Sequence, residues 1–228
     1  MSGAMSGGRD KIFGAIRAGL GRSAADAGRR ETVARRLAGQ APHLVPQRAR
    51  QDADKLALLF AEQLRAANAV VLAAKDEAEL PSTIAKWLRS QNLPLKVRAG
   101  SDAWLAGLDW SRERSLTVVH GRAEPADEVG LTHAVAAVAE TGTLVLASGP
   151  DNPVSVTFLP ETSIVVVRAA DLVGPYEQAF ARLRDRLGRG VMPRTLNLVS
   201  GPSRTADVGG RLVTGAHGPR RFCVIVVG

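Results

Sequence analysis

Val135-Ala-Ala-Val-Ala-Glu-Thr-Gly-Thr-Leu-Val-Leu-Ala147 sets two short apolar runs, 135–140 and 143–147, on either side of Thr141-Gly142. Two residues leave no room for a helical crossover, so the segment predicts a hairpin or tight bend. The next residues, Ser-Gly-Pro-Asp-Asn-Pro (148–153), are turn formers, and a second stretch of this kind runs from Pro193 to Pro219. Gly, Pro, hydroxyl and isolated charged residues gathered between apolar runs are the pattern of a site built on strand ends.

On the N-terminal side of the bend, Leu56, Leu59, Phe60 and Leu64 recur at helical spacing, and Ala69–Ala74 reads as a fully buried strand. A second helix follows, with Pro81 in its first turn and Ile84, Trp87 and Leu88 on its inner stripe. Short strands are predicted at 95–97 and 115–120, with a short helix around Trp104, Leu105, Leu108 and Trp110 between them. On the C-terminal side, 163–167 reads as a strand. Tyr176, Ala179, Phe180, Leu183 and Leu187 then form a helix behind Pro175, and strands close the chain at 196–200 and 222–227. Alternating strands and helices with one hairpin define an α/β protein whose sheet is mixed, not purely parallel.

The formal charge of +8 is unevenly spread. Residues 1–50 hold ten Lys/Arg against three Asp/Glu, whereas 51–228 hold twenty against nineteen. The chain therefore divides into a basic N-terminal part, 1–50, and a nearly neutral body, 51–228. In the first part Ile12, Phe13, Ile16 and Leu20 share one helical face, while Gly19–Gln40, rich in Gly, Ala and Arg, reads as a flexible arm. A salt-sensitive attraction to nucleic acid through that arm is one reading and solvated charge the other, and an aromatic content of 4% argues against a base-stacking platform. No apolar run reaches the length of a membrane span, and no secretory leader is visible, which predicts a cytoplasmic protein. The single cysteine, Cys223, lies in an apolar run and reads as a small buried hydrophobe. One thiol cannot ligate an iron–sulfur cluster, so any such cluster belongs to a partner.

Five motifs carry a resemblance. Ala-Glu-Thr-Gly-Thr-Leu-Val-Leu (139–146), Phe-Leu-Pro-Glu-Thr (158–162), Met-Pro-Arg-Thr (192–195), Gly-Pro-Ser-Arg-Thr-Ala-Asp (201–207) and Gly-Ala-His-Gly-Pro-Arg (215–220) occur in that order. Together they look like the lactate utilization protein C family, whose shared module is the LUD domain, here 51–228. The resemblance implies an α/β fold with a mixed, mostly parallel sheet and helices on both faces, NagB/RpiA/CoA transferase-like. It also implies a role in oxidising L-lactate to pyruvate beside iron–sulfur and oxidoreductase subunits, this chain carrying no redox cluster.

Glu140, at a strand end before the Thr-Gly turn, is the first catalytic candidate, as general base or nucleophile; the alternative is a carboxylate that braces the turn. Thr141, Gly142 and Thr143 either bind ligand or fix the bend. Glu161, in the loop before the strand at 163, would face the same cleft and form an acid–base pair, or else partner a nearby arginine. Asn152 reads as a turn or cap residue or a ligand contact. Gly201, Ser203, Arg204 and Thr205 assemble the parts of an anion site for a carboxylate or phosphate, unless the hydroxyls cap a helix and Asp207 pairs with Arg204. His217, in a Gly/Pro loop, is the pH-active candidate. His43, His120 and His133 are scattered, and no metal-ligand spacing appears. The leading function is a component of a lactate-oxidising system. The alternatives are a stand-alone enzyme acting on a CoA ester or sugar phosphate, and a nucleic-acid-associated protein.

Overall fold

The computed structural model describes residues 4–21, 27–39, 44–188, 190–208 and 211–228, with side chains at all of these except 4–6, 206–208 and 211–212. Two units are distinct, 1–44 and 45–228. The first contains helices α1 (Ala4–Gly19) and α2 (Ala27–Ala38). On α1, Ile12, Phe13 and Ile16 are exposed, as is Leu20 just beyond it, with the Arg9 guanidinium 5.6 Å above the Phe13 ring. Helix α2 occupies much of the stretch whose composition predicts a flexible arm, because Ala, Arg and Leu are strong helix formers even without burial.

The second unit begins with α3 (Ala53–Ala66), β1 (Val70–Ala74), α4 (Leu80–Ser90), β2 (Lys96–Ala99), α5 (Ala103–Ala106), β3 (Thr117–His120) and β4 (Val129–His133). It continues with β5 (Ala136–Val138), β6 (Thr143–Ala147), α6 (Val154–Phe158), β7 (Thr162–Arg168), β8 (Leu172–Val173) and α7 (Tyr176–Leu187). Strands β9 (Leu196–Val199), β10 (Arg204–Val208), β11 (Arg211–Thr214) and β12 (Arg221–Val227) complete it. The main sheet has the order β1-β12-β7-β4-β2-β3, every pairing parallel. The hairpin β5–β6 is antiparallel, as its Thr-Gly turn predicts, and builds a second sheet of order β8-β5-β6-β9. The mostly parallel α/β reading holds, but the antiparallel pairs lie outside the main sheet, in that second sheet and in the two-stranded ribbon β10–β11.

Side-chain alternation along the central strands explains the layering. Ile164, Val166, Cys223 and Ile225 face Ile84, Trp87 and Leu88 of α4. Their neighbours Val165, Val167, Phe222 and Val224 face Phe60 and Leu64 of α3 together with Ala137, Leu144 and Leu146 of the second sheet. The outer side of that second sheet is closed by Tyr176 and Ala179 of α7. Each fully buried Leu, Ile or Phe contributes about 1.5–3 kcal/mol. Asp52 caps α3 by accepting the Lys55 N–H at 3.0 Å.

Two strands depart from expectation. Ala69–Ala74 was expected to be buried throughout, but β1 lies at an edge of the main sheet and Val70 is half-exposed. Strand β4 is buried at all five residues although Gly130, Thr132 and His133 interrupt its apolar pattern. A Cβ on Gly130 would lie 1.9 Å from the Val156 carbonyl, so glycine is what lets α6 pack on this strand.

Candidate functional site

The Thr141-Gly142-Thr143 bend is locked from several sides. Gly142 has φ +63°, and a Cβ there would sit 2.8 Å from Gln63 Cβ, so the bend packs directly on α3. Thr143 is buried, and its hydroxyl lies 2.7 Å from Thr141 Oγ1, 2.8 Å from Tyr176 Oη and 2.7 Å from Ser200 Oγ. Thr141 Oγ1 also donates to Tyr176 Oη at 3.0 Å. Four hydroxyls thus satisfy one another and tie the hairpin to α7 and to the end of β9. Glu140 accepts from Arg48 Nη2 at 3.0 Å, and its N–H donates to the Gly174 carbonyl at 3.2 Å. The 3-10 turn Gln47–Ala49 brings Arg48 there. It lies flat on the chain leaving β8, because a Cβ on Gly174 would fall 1.9 Å from the Ala49 carbonyl.

The second Gly/Pro-rich stretch forms a groove of about 530 Å³. Ser203, Arg204, Thr205 and His217 line it together with Gly201, Phe158 and Pro219. The Ser203 N–H donates to the Pro219 carbonyl at 2.9 Å, and the His217 N–H donates to Ser203 Oγ at 3.3 Å. Gly201, at φ +146°, lets the chain pass the end of α3, where a Cβ would stand 2.8 Å from the Ala67 carbonyl. Arg204 opens β10, so Ser203 and Thr205 flank a strand start and cap no helix. The Asp207 side chain lies outside the described residues, as does His43. Glu161 is not among the residues that line the groove. Its carbonyl accepts the N–H groups of Arg220 and Arg221, and its carboxylate stands 3.7 Å from Arg221 Nη1. The structure therefore brings Gly201, Ser203, Arg204, Thr205 and His217 together, joins the two stretches through the Thr143–Ser200 contact, and gives Glu140 and Glu161 separate arginine partners. This groove adjoins the amino end of β12.

A third constellation, which sequence reading leaves scattered, occupies the carboxyl ends of β2 and β4. The register pairs Ala99 with Leu131, which carries Asp102 and His133 into contact just beyond the strands. His133 Nδ1 lies 3.1 Å from Asp102 Oδ1, and both side chains are almost completely buried. Asp102 also caps α5 by accepting the Leu105 N–H at 3.4 Å. Burial opposes ionisation of this carboxyl, but the hydrogen bond from His133 and the N–H groups of Leu105 and Trp104 outweigh it, holding Asp102 below the usual carboxylate range. An ionised carboxylate only accepts, so His133 Nδ1 carries a hydrogen, and Nε2 has no partner among the described residues. The Trp104 ring lies against the imidazole, centroids 4.5 Å apart.

The turn formers 148–153 make the opposite wall. The Ser101 N–H donates to the Asp151 carbonyl at 2.6 Å, and Asn152 Nδ2 donates to the Ala147 carbonyl at 2.9 Å. Between the walls is a cavity of about 260 Å³ lined by Asp102, His133, Ser148, Asn152, Arg186 and Met192 among others. His120 braces the same region, with Nδ1 2.7 Å from the Gly100 carbonyl. Among the described residues no group of three or more His, Cys, Asp or Glu is placed to hold a metal ion. No described helix is long and apolar enough to cross a membrane.

A parallel α/β sheet with a polar cavity at its strand carboxyl ends defines a class in which small ligands bind at that edge. Within this class the chain belongs to the LUD domain family, whose model matches residues 58–227. It is 41% identical over 106 residues to a lactate utilization protein C of Shouchella clausii, a match that covers 46% of each chain. It is 35% identical over 129 residues to a lactate utilization protein C of Bacillus subtilis, covering 56% of this chain and 51% of that one. The matches thus span about half the length of these curated relatives. The crystal structure of a DUF162 family protein from Deinococcus radiodurans superposes with a TM-score of 0.58 at 26% identity, covering 78% of this chain and 99% of that one.

Proposed function

We propose that this chain acts in lactate utilization, as a cytoplasmic component of a system that oxidises L-lactate to pyruvate, with the iron–sulfur clusters and oxidoreductase subunits supplied by partner proteins. The observation that carries this reading is the similarity to proteins named lactate utilization protein C. The cysteine supply supports the division of labour. Cys223 is the sole cysteine, it is buried in β12, and burial pushes its thiol far above the ordinary range, whereas clusters take several thiolates. The test is lactate-dependent electron transfer by the partner proteins with and without this chain. Transfer that collapses on omission and returns on addition supports the reading, and an unchanged rate refutes it.

A second reading, a stand-alone enzyme acting on a CoA ester or sugar phosphate, is favoured by one observation. Arg122 and Arg194 line a groove of about 770 Å³ that shares Ser148, Gly149 and Pro150 with the smaller cavity. Guanidinium forks suit phosphate oxygens. Calorimetry with CoA esters and sugar phosphates distinguishes the two, since only this reading expects saturable binding that weakens in Arg194→Ala.

A further inference from the structure

We propose that the cavity bounded by Asp102, His133, Asn152 and Arg186 is a binding site for a small 2-hydroxy carboxylic acid, and that it selects the hydroxy acid over the matching oxo acid. The choice of a 2-hydroxy acid among small anions rests on the function proposed above. The location and the selectivity rest on the cavity's own chemistry.

Three buried polar atoms of the lining residues have no partner: His133 Nε2, Asp102 Oδ2 and Asn152 Oδ1. Asp102 Oδ2 and Asn152 Oδ1 are acceptors, and in the neutral imidazole, whose Nδ1 hydrogen goes to Asp102, so is His133 Nε2. Asn152 directs its NH₂ at the Ala147 carbonyl, which fixes its oxygen as the free end. Buried acceptors without donors are costly, and a ligand that satisfies them must bring hydrogen-bond donors. The cation is also in place, because Arg186 lines the same cavity from α7 and is exposed, with a fork suited to a carboxylate. The volume of about 260 Å³ lies below the roughly 300–1,000 Å³ of pockets that take drug-sized ligands and accommodates a small acid. A hydroxyl beside a carboxylate brings one hydrogen for His133 Nε2 and an anion for Arg186. An oxo acid offers His133 a second acceptor, and an unsubstituted acid offers it nothing. In the bound state the carboxylate lies on Arg186 and the hydroxyl donates to His133 Nε2, with Asp102 holding the imidazole in the tautomer that accepts.

The test is titration of the full chain with L-lactate, pyruvate and propionate, read by calorimetry and by the ¹⁵N shift of His133 Nε2. The expected result is saturable binding of L-lactate, roughly tenfold or more weakened for pyruvate and propionate, with a His133 Nε2 shift that only L-lactate produces. Arg186→Ala, at an exposed position that leaves folding intact, weakens L-lactate binding by roughly tenfold. His133→Gln abolishes the preference for the hydroxyl. Equal affinity for L-lactate and propionate, no binding of any of them, or wild-type binding by Arg186→Ala overturns the assignment. The two readings fail separately. A chain that is required for lactate-dependent electron transfer yet binds no acid refutes this site alone, and a chain that is dispensable for transfer yet binds L-lactate with hydroxyl selectivity refutes the function alone.

Discussion

Replacing Asp102 separates its structural from its electrostatic work. Asp102→Ala removes an N-cap, about 1 kcal/mol, and leaves the buried His133 Nδ1 hydrogen without an acceptor, about 1–3 kcal/mol. With the residue only 4% exposed, no water replaces either contact, so the loss at pH 7 is about 2–4 kcal/mol. Asp102→Asn keeps a capping oxygen and an acceptor and exchanges a charge-assisted bond for a neutral one, a loss of about 1 kcal/mol. The pH dependence has a definite sign. The folded carboxyl ionises below its ordinary value of 3.8, so its contribution is complete above that pH and is lost as pH falls through the lower, folded pKa. Urea denaturation of both variants beside the parent at pH 7 and pH 3 measures this. The deficit of Asp102→Ala should be about twice that of Asp102→Asn or more at pH 7, and the deficits of both should shrink at pH 3. Equal deficits for the two variants, or a deficit indifferent to pH, would refute the charge-assisted dyad.

Other expectations follow from the same contacts. Gly142→Ala forces a left-handed φ on a residue with a side chain and drives a Cβ to 2.8 Å from Gln63, so thermal or urea unfolding should show a loss of about 2–4 kcal/mol. Thr143→Val removes the buried hydroxyl that Tyr176 and Ser200 share, leaving Tyr176 with Thr141, at a cost of about 0.5–1.5 kcal/mol, and in a double-mutant cycle with Tyr176→Phe the two losses should couple by about 0.5 kcal/mol or more. Glu140→Gln breaks a pair whose arginine is 63% exposed, so stability should change by less than about 1 kcal/mol, as a chevron or melt will register. Cys223 should resist thiol reagents in the native state even at pH 9 and label at the rate of global unfolding, because burial raises its thiol.

Elements with strong periodicity were legible in the sequence. The faces of α3, α4 and α7 and the β5–β6 hairpin follow from spacing and from one Thr-Gly pair. Strand β4 was not legible, because its glycine answers to the Val156 carbonyl and its Thr and His answer to tertiary partners, none of which leaves a periodic trace. The same holds for the dyad. Asp102 and His133 are 31 residues apart and meet only through parallel pairing of β2 with β4, a register that no local pattern encodes. The loops were recognised by composition, and the first does wall a cavity, but through Ser148 and Asn152 where Glu140 had been expected. Glu140 instead meets an arginine from the short turn ahead of α3, a partner 92 positions away.

That short turn bears on where the chain can be trimmed. Residues 45–50 precede the segment matched by the family model, yet they act as a clasp. A fragment cropped at residue 58 would bare the Gly174 backbone and release Glu140 as an unneutralised carboxylate, whereas one cropped just ahead of Val45 keeps the fastening intact.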